Sequence, residues 1–202
     1  MARRVLVNFA HPVLERSRVN RHMIEAIRDL DGVTVNDLYE RYPDLSVDVR
    51  REQQLLDEHE AVVFQHPFFW YSGPAILKEW QDLVLEHGWA YGAGGTHLAN
   101  KITFNAISAG APHSAYQPGG YNRFTIRQLL TPFEQTAHLC GMHYIAPFVV
   151  FGALKLVTHA EMHTSADEYR ALITALRDEQ LDTTKATRAE LLTPEFIRRE
   201  VA

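Results

Sequence analysis

Val62-Val63-Phe64-Gln65-His66-Pro67-Phe68-Phe69-Trp70-Tyr71-Ser72-Gly73-Pro74-Ala75-Ile76-Leu77-Lys78-Glu79-Trp80 is the stretch whose reading decides the fold. It starts as a run of β-branched and aromatic residues and breaks on Pro67. It then passes through Phe68, Phe69, Trp70 and Tyr71 and breaks again at Gly73-Pro74. Beyond the break, Ile76, Leu77, Trp80, Leu83 and Val84 recur at helical spacing. The pattern predicts a buried strand, an aromatic loop and a helix. In an open α/β sheet, ligands sit beyond the carboxyl ends of the strands, and aromatic side chains there suit a flat molecule. A single aromatic is more often core. Four in succession in a loop are not, because loops run over the surface.

Working outward, Arg4 to Ala10 reads as a first buried strand, closed by Pro12. Ser17 is placed to cap a helix with Val19, Met23, Ile24, Ile27 and Leu30 on its apolar face, and Gly32 to end it. Val33 to Leu38 is a second strand, Tyr39 to Asp48 is irregular, and Val49 to His59 is a short polar helix. His87 to Asn100 is a glycine-rich loop, long enough to imply binding or a subunit contact. Lys101 to Ser108 is a fourth strand, followed by a long loop from Ala109 to Asn122. Arg123 to Cys140 is helical, with Pro132 either kinking it or joining two helices. Tyr144 to Phe151 is a fifth strand, and Ser165 or Asp167 caps a last helix through Leu176. Residues 1–181 thus form one domain. The more polar tail, residues 182–202, is given no part in the core. Five strands alternating with helices imply a three-layer α/β sandwich with a parallel sheet in the doubly wound order 2-1-3-4-5.

The 202 residues are 46% hydrophobic and 22% charged, enough for one sizeable core. The net charge of −5 gives no reason to expect nucleic acid as a partner. The lone Cys140 excludes an internal disulfide and is compatible with a reducing, cytoplasmic setting. The apolar run after Arg3-Arg4 is too short for a signal peptide, and no apolar stretch is long enough to span a bilayer.

The order 2-1-3-4-5 brings three loops to one edge. The first carries His11 and Ser17, Arg18, Val19 and Asn20. The second carries Pro67, Phe68, Phe69, Trp70 and Tyr71. The third carries Ser108, Ala109, Gly110, Ala111 and Tyr116. A helix N-terminus favours a phosphate, aromatics flank a planar ring, and small residues let backbone approach a ligand. A phosphate joined to a planar heterocycle describes a flavin mononucleotide. The dinucleotide fingerprint fails, because Ala10 to Arg18 contains no glycine. His159 and His163 stand four apart, but no third ligand accompanies them, so no metal is expected.

Ala10-His11-Pro12, Ser17-Arg18-Val19-Asn20 and Phe64 to Trp80 together resemble the flavodoxin-like NAD(P)H quinone oxidoreductase family. The resemblance is nearest to its bacterial branch of ancillary proteins for glutathione-regulated potassium efflux. Asp37-Leu38-Tyr39, Tyr42-Pro43-Asp44 and Gly88-Trp89-Ala90-Tyr91-Gly92 fit the same branch. The resemblance implies bound FMN (alternatively FAD), NAD(P)H as donor, a quinone acceptor and a homodimer. It also implies flavin contacts at His11, Ser17 to Asn20, Phe68 to Tyr71 and Ser108 to Ala111, with Tyr116 as the active-site tyrosine. Tyr91 would reach the flavin of the second subunit. Two departures stand out. The family's Thr-Thr-Gly-Gly turn is Ser108-Ala109-Gly110-Ala111 here, and the usual histidine five residues after the tyrosine is Tyr121. A phenol gives up its proton far less readily than an imidazolium, so Tyr121 is a poorer proton donor than the usual histidine; His113 stands close in sequence to compensate. The competing implication is a regulatory subunit of a potassium/proton antiporter with little turnover, held at the inner face of the membrane. An electron-carrier flavodoxin fits less well, since it expects a hydroxyl-rich loop after the first strand and a strongly acidic surface.

Overall fold

The computed structural model describes residues 2–155 and 159–200. The sheet and the helices that cover it are laid down largely as the periodicity dictates. Strands β1 (Val5–Phe9), β2 (Val33–Asp37), β3 (Ala61–Pro67) and β4 (Ile102–Ser108) are joined by α1 (Val19–Ile27), by α2 (Leu38–Arg41) with α3 (Val49–Glu58), and by α4 (Ala75–Val84). They are followed by α5 (Ile126–Leu129), α6 (Thr131–Leu139), β5 (His143–Tyr144), β6 (Phe148–Val150), α7 (His159–Arg177), α8 (Thr183–Arg188) and α9 (Pro194–Glu200). All pairings are parallel, and the order is β2-β1-β3-β4-β5, with β6 also on β4.

Side chains alternate across each strand, so the sheet has two cores. Val5, Val7, Phe9, Val63 and Phe104 pack under α1 and α7, whereas Leu6, Val62, Phe64 and Ile107 pack under α3, α4 and α6. Burial of each such side chain stabilises by roughly 1.5–3 kcal/mol. Thr103 on β4 is an exception, because its buried hydroxyl has no hydrogen-bond partner among the described residues. Thr103→Val keeps the shape and removes that orphan. Urea unfolding is therefore expected to show a gain of about 1 kcal/mol.

Three boundaries differ from the sequence expectation, and at Pro132 the second of its two alternatives, a pair of joined helices, is the one adopted. Helix α1 stops at Ile27, so Leu30 and Gly32 belong to the turn; Gly32 has φ +77, a left-handed value that suits glycine. The region from 123 to 140 is two helices, α5 and α6, with Pro132 in the first turn of the second, where its missing N–H costs nothing. The fifth strand is split into β5 and β6, because Pro147 cannot donate to a ladder and the Ala146 N–H turns away to the Ala186 carbonyl. Helix α7 begins at His159, so Ser165 and Asp167 lie inside it.

The tail also departs from its expected place. Ala186, Leu192 and Ile197 are buried in the core on the α1–α7 side. The Leu192 N–H bonds the Pro147 carbonyl, and Arg127 reaches the Ala189 carbonyl. The segment looks polar in sequence because only one residue in every few faces inward. It covers the sheet edge that the split strand leaves open.

Candidate functional site

An open cavity of about 420 Å³ lies beyond the carboxyl ends of β1, β3 and β4. It is lined by His11, Ser17, Arg18, Val19 and Asn20 from the first loop, Pro67, Phe68 and Phe69 from the second, and Ser108 and Gly110 from the third. That volume falls within the roughly 300–1,000 Å³ typical of small-molecule sites. A separate apolar gap between β3, α4 and α6 is only about 20 Å³ and is a packing defect rather than a ligand site.

The first loop wraps the N-terminus of α1. Ser17 Oγ accepts the Asn20 N–H at 3.2 Å, the capping bond expected of it, although the helix itself begins at Val19. Asn20 Nδ2 donates to Ser108 Oγ at 2.8 Å, which ties the first loop to the third. The Asn20 carbonyl accepts from Gln65 Nε2 at 3.3 Å, which ties it to β3. Asn20 Oδ1 and Gln65 Oε1 are buried and accept no hydrogen bond among the described residues. Val19 is buried, and Arg18 is an exposed cation at the rim. His11 accepts the Val13 N–H on Nδ1 at 3.2 Å. Burial depresses its pKa, so the neutral ring carries its proton on Nε2.

The aromatic loop does not act as one wall. Pro67, Phe68 and Phe69 line the cavity, whereas Trp70 is 93% exposed and Tyr71 is partly exposed with its hydroxyl on Asn122 Oδ1 at 3.3 Å. Trp70 and Tyr71 both hold left-handed backbone, φ 50 and φ 63. Two consecutive side-chain-bearing residues in that region store roughly 1–3 kcal/mol each, a cost found mainly at functional sites.

On the third loop, Ala109 is fully buried and its N–H is committed to the Val150 carbonyl. The Ala111 carbonyl accepts from Gly152. Neither residue lines the cavity; Ser108 and Gly110 do. The Tyr116 ring stands 6.0 Å from Phe68 and 5.9 Å from Phe151, with its hydroxyl pKa raised by burial. Tyr121 is 89% exposed and is not brought to the cavity. His113 packs on Phe151 at 4.9 Å and bonds Gln117. Tyr91 packs edge-on against His87 at 5.5 Å, away from this chain's own cavity.

Three lining residues escaped the sequence reading: Arg16, Ala153 and Leu154. Arg16 adds a second cation beside Arg18. Ala153 and Leu154 follow β6, and the Ala153 N–H bonds the Ala109 carbonyl. A Cβ on Gly110 would stand 3.0 Å from Leu154 Cδ1, a tight contact that the glycine avoids. Gly152, with φ +67, was the available signal: a glycine two residues after a strand at the ligand-binding edge of the sheet. No group of three metal-ligating side chains occurs among the described residues. The side chain of His159 lies outside them, and His163 packs against His22.

Beneath the site, His66 is fully buried and its pKa is depressed to about 4; burial depresses His59 as well as His11. Their neutral forms are favoured in the fold, whereas the unfolded chain takes up protons at about pH 6.5. Stability is therefore full above pH 6.5 and falls as pH is lowered from there toward 4. His66 contributes about 3 kcal/mol of that loss. Unfolding by urea at pH 7 and pH 5 should show the drop, and His66→Gln should reduce it.

The fold and the three-loop cavity define a class. The family model described as flavodoxin-like fold matches residues 3–173, and the chain belongs to that family. Within it, this chain is 49% identical over 150 residues to the glutathione-regulated potassium-efflux system ancillary protein KefG of Serratia proteamaculans, covering 74% of this chain and 82% of that one. It is 48% identical over 153 residues to the uncharacterized NAD(P)H oxidoreductase YrkL of Bacillus subtilis, covering 76% and 88%. Among solved structures, general stress protein 14 of Treponema denticola in complex with FMN superposes with TM-score 0.81 at 37% identity, covering 86% and 99%.

Proposed function

We propose that this chain is a flavin-dependent NAD(P)H:quinone oxidoreductase that uses FMN. The observation that carries the reading is the cavity itself, which joins the α1 N-terminus and two cations to an aromatic wall across three sheet loops. A bound flavin would supply the redox chemistry, so that NAD(P)H and one proton reduce the quinone to its hydroquinone. The residues present fit that group. The amides at the start of α1, with Ser17, Arg16 and Arg18, would hold the phosphate. Asn20 lines the cavity, and its buried Oδ1, which accepts no hydrogen bond among the described residues, would be an acceptor for a hydroxyl-bearing chain. Pro67, Phe68 and Phe69 would flank the ring, and the backbone at Gly110 would approach it closely. FAD would need a further adenylate site, and no arm for one is recognisable in the sequence.

The protein's own contribution is position and protons. Tyr116 packs behind Phe68, and burial raises its phenol pKa, so the protonated hydroxyl would be available as a donor to an acceptor oxygen. Tyr121 stands exposed outside the cavity lining, so no proton transfer is routed through it. In a homodimer, Tyr91 of the second copy would complete the acceptor side. The names of the FMN-bound stress protein and of the NAD(P)H oxidoreductase relative support the cofactor and the donor. Steady-state rates with NADH and NADPH against quinones test this: parallel double-reciprocal lines are expected, and full turnover by flavin-stripped protein would refute it.

The likeness to an ancillary efflux protein favours a second role, as a regulatory subunit on a potassium antiporter at the cytoplasmic face of the membrane. No described helix is long and apolar enough to cross a membrane. Negligible reductase turnover together with co-purification with an antiporter would favour this reading over the first.

A further inference from the structure

We infer that His66 is a positioning residue: a buried relay from Tyr144 through Asn105 and His66 to the Pro67 carbonyl holds the aromatic loop against the cavity. The relay runs across three adjacent strands directly under the site. Tyr144 Oη donates to Asn105 Oδ1 at 2.8 Å, Asn105 Nδ2 stands 3.0 Å from His66 Nε2, and His66 Nδ1 stands 3.0 Å from the Pro67 carbonyl. Asn105 and His66 are both fully buried, and Tyr144 is 6% exposed.

Only one polarity satisfies every neutral group. The Pro67 carbonyl only accepts, so His66 Nδ1 carries the proton. Nε2 is then an acceptor and takes Asn105 Nδ2–H, which turns Asn105 Oδ1 toward the tyrosine hydroxyl. The opposite polarity would set two lone pairs against each other at Pro67. The ring plane is fixed as well. It stacks on Phe133 at 5.6 Å and 21°, and Gly73 lies so close that a Cβ there would meet the imidazole at 3.2 Å and Leu77 at 2.9 Å. Both ends of the aromatic loop, Pro67 and Gly73, thus rest on one imidazole.

The loop needs such a hold. Trp70 and Tyr71 are in left-handed backbone, and the Phe68 N–H bond to the Ser108 carbonyl at 2.9 Å is a backbone tie to the third loop. A strained conformation persists only where its surroundings over-determine it. Phenylalanine at 66 would keep the stack on Phe133, but it would release the Pro67 carbonyl and orphan Asn105. Glutamine offers a donor and an acceptor in one side chain and is able to restore both contacts.

The inference rests on the cavity being the flavin site, so the test has two arms. The first is amide hydrogen exchange on the protein free of ligand. In His66→Phe the amides of Phe68 and Ser72 should exchange about tenfold faster or more while β1 stays protected, and His66→Gln should recover most of the protection. Tyr144→Phe removes one hydroxyl far from the loop and should act in the same direction more weakly. The second arm is titration with FMN. His66→Phe should raise Kd about tenfold and alter the absorption envelope of bound FMN, with rescue by His66→Gln. Unchanged exchange at Phe68 and Ser72 in both His66→Phe and Tyr144→Phe would overturn the inference. Faster exchange with no FMN binding by the unaltered protein would uphold the relay and refute the flavin reading.

Discussion

Glu52→Ala is expected to cost about 3–5 kcal/mol of folding stability, the largest loss of any single change outside the hydrophobic core. The Glu52 side chain is fully buried on α3. Its carboxylate accepts from Tyr42 Oη at 2.6 Å, from Trp80 Nε1 at 2.8 Å and from Asn36 Nδ2 at 2.8 Å, and it pairs with Arg51. Alanine would leave the Tyr42 hydroxyl and the Trp80 N–H without an acceptor, take from Asn36 Nδ2 one of its two acceptors (the other being Asn8 Oδ1), and strip the partly exposed Arg51 of its carboxylate. The same carboxylate locks α3 to β2 and to α4. Tyr42 responds to its position, its phenol being pushed up to about 12 by burial and then by the carboxylate. Urea unfolding followed by tryptophan emission measures the loss. A change below about 1 kcal/mol would mean that the network is solvated and carries little stability. Glu52→Gln should fall between, since an amide keeps one acceptor but sets an N–H against a donor.

Asn20 carries the second large effect, on ligand affinity rather than stability. Its side chain joins the first loop to Ser108, its N–H is capped by Ser17, and its carbonyl is held by Gln65. Asn20→Ala removes the link between two loops and should weaken FMN binding by about tenfold or more. Asn20→Asp is nearly the same shape, but it sets a carboxylate beside the place assigned to a phosphate. It should weaken binding by roughly a further tenfold, with the penalty shrinking as salt is raised. Flavin fluorescence titrations at two ionic strengths separate the effects. Equal affinities for Asn20→Asp and the parent protein would place the phosphate elsewhere.

The features legible in the sequence were the local ones. Val62 to Pro67 announced a buried strand because β-branched residues end at a proline, and Ile76, Leu77 and Trp80 announced a helix by spacing. The order 2-1-3-4-5 followed from strand count and βα alternation, and it put His11, Asn20, Phe68 and Ser108 around one opening. Features that depend on distant partners were not legible. The break at Pro147 needs the Ala186 and Leu192 backbone to make sense of it. The buried face of the tail is set by α7 and the sheet edge rather than by a run of apolar residues. Within the aromatic loop, sequence treats four rings alike, whereas the left-handed backbone at Trp70 and Tyr71 turns those two away from the cavity that Phe68 and Phe69 line. Leu154 packs closely over Gly110, which is far away in the chain, and no local pattern announces that contact.

The most direct test of the central claim is FMN binding by the purified chain, measured by equilibrium titration of the flavin-free protein. The account predicts saturation at one FMN per chain, with flavin fluorescence quenched by the aromatic wall and affinity lost in Asn20→Asp. A protein that takes up no FMN at saturating concentration, with the fold intact by circular dichroism, would contradict it.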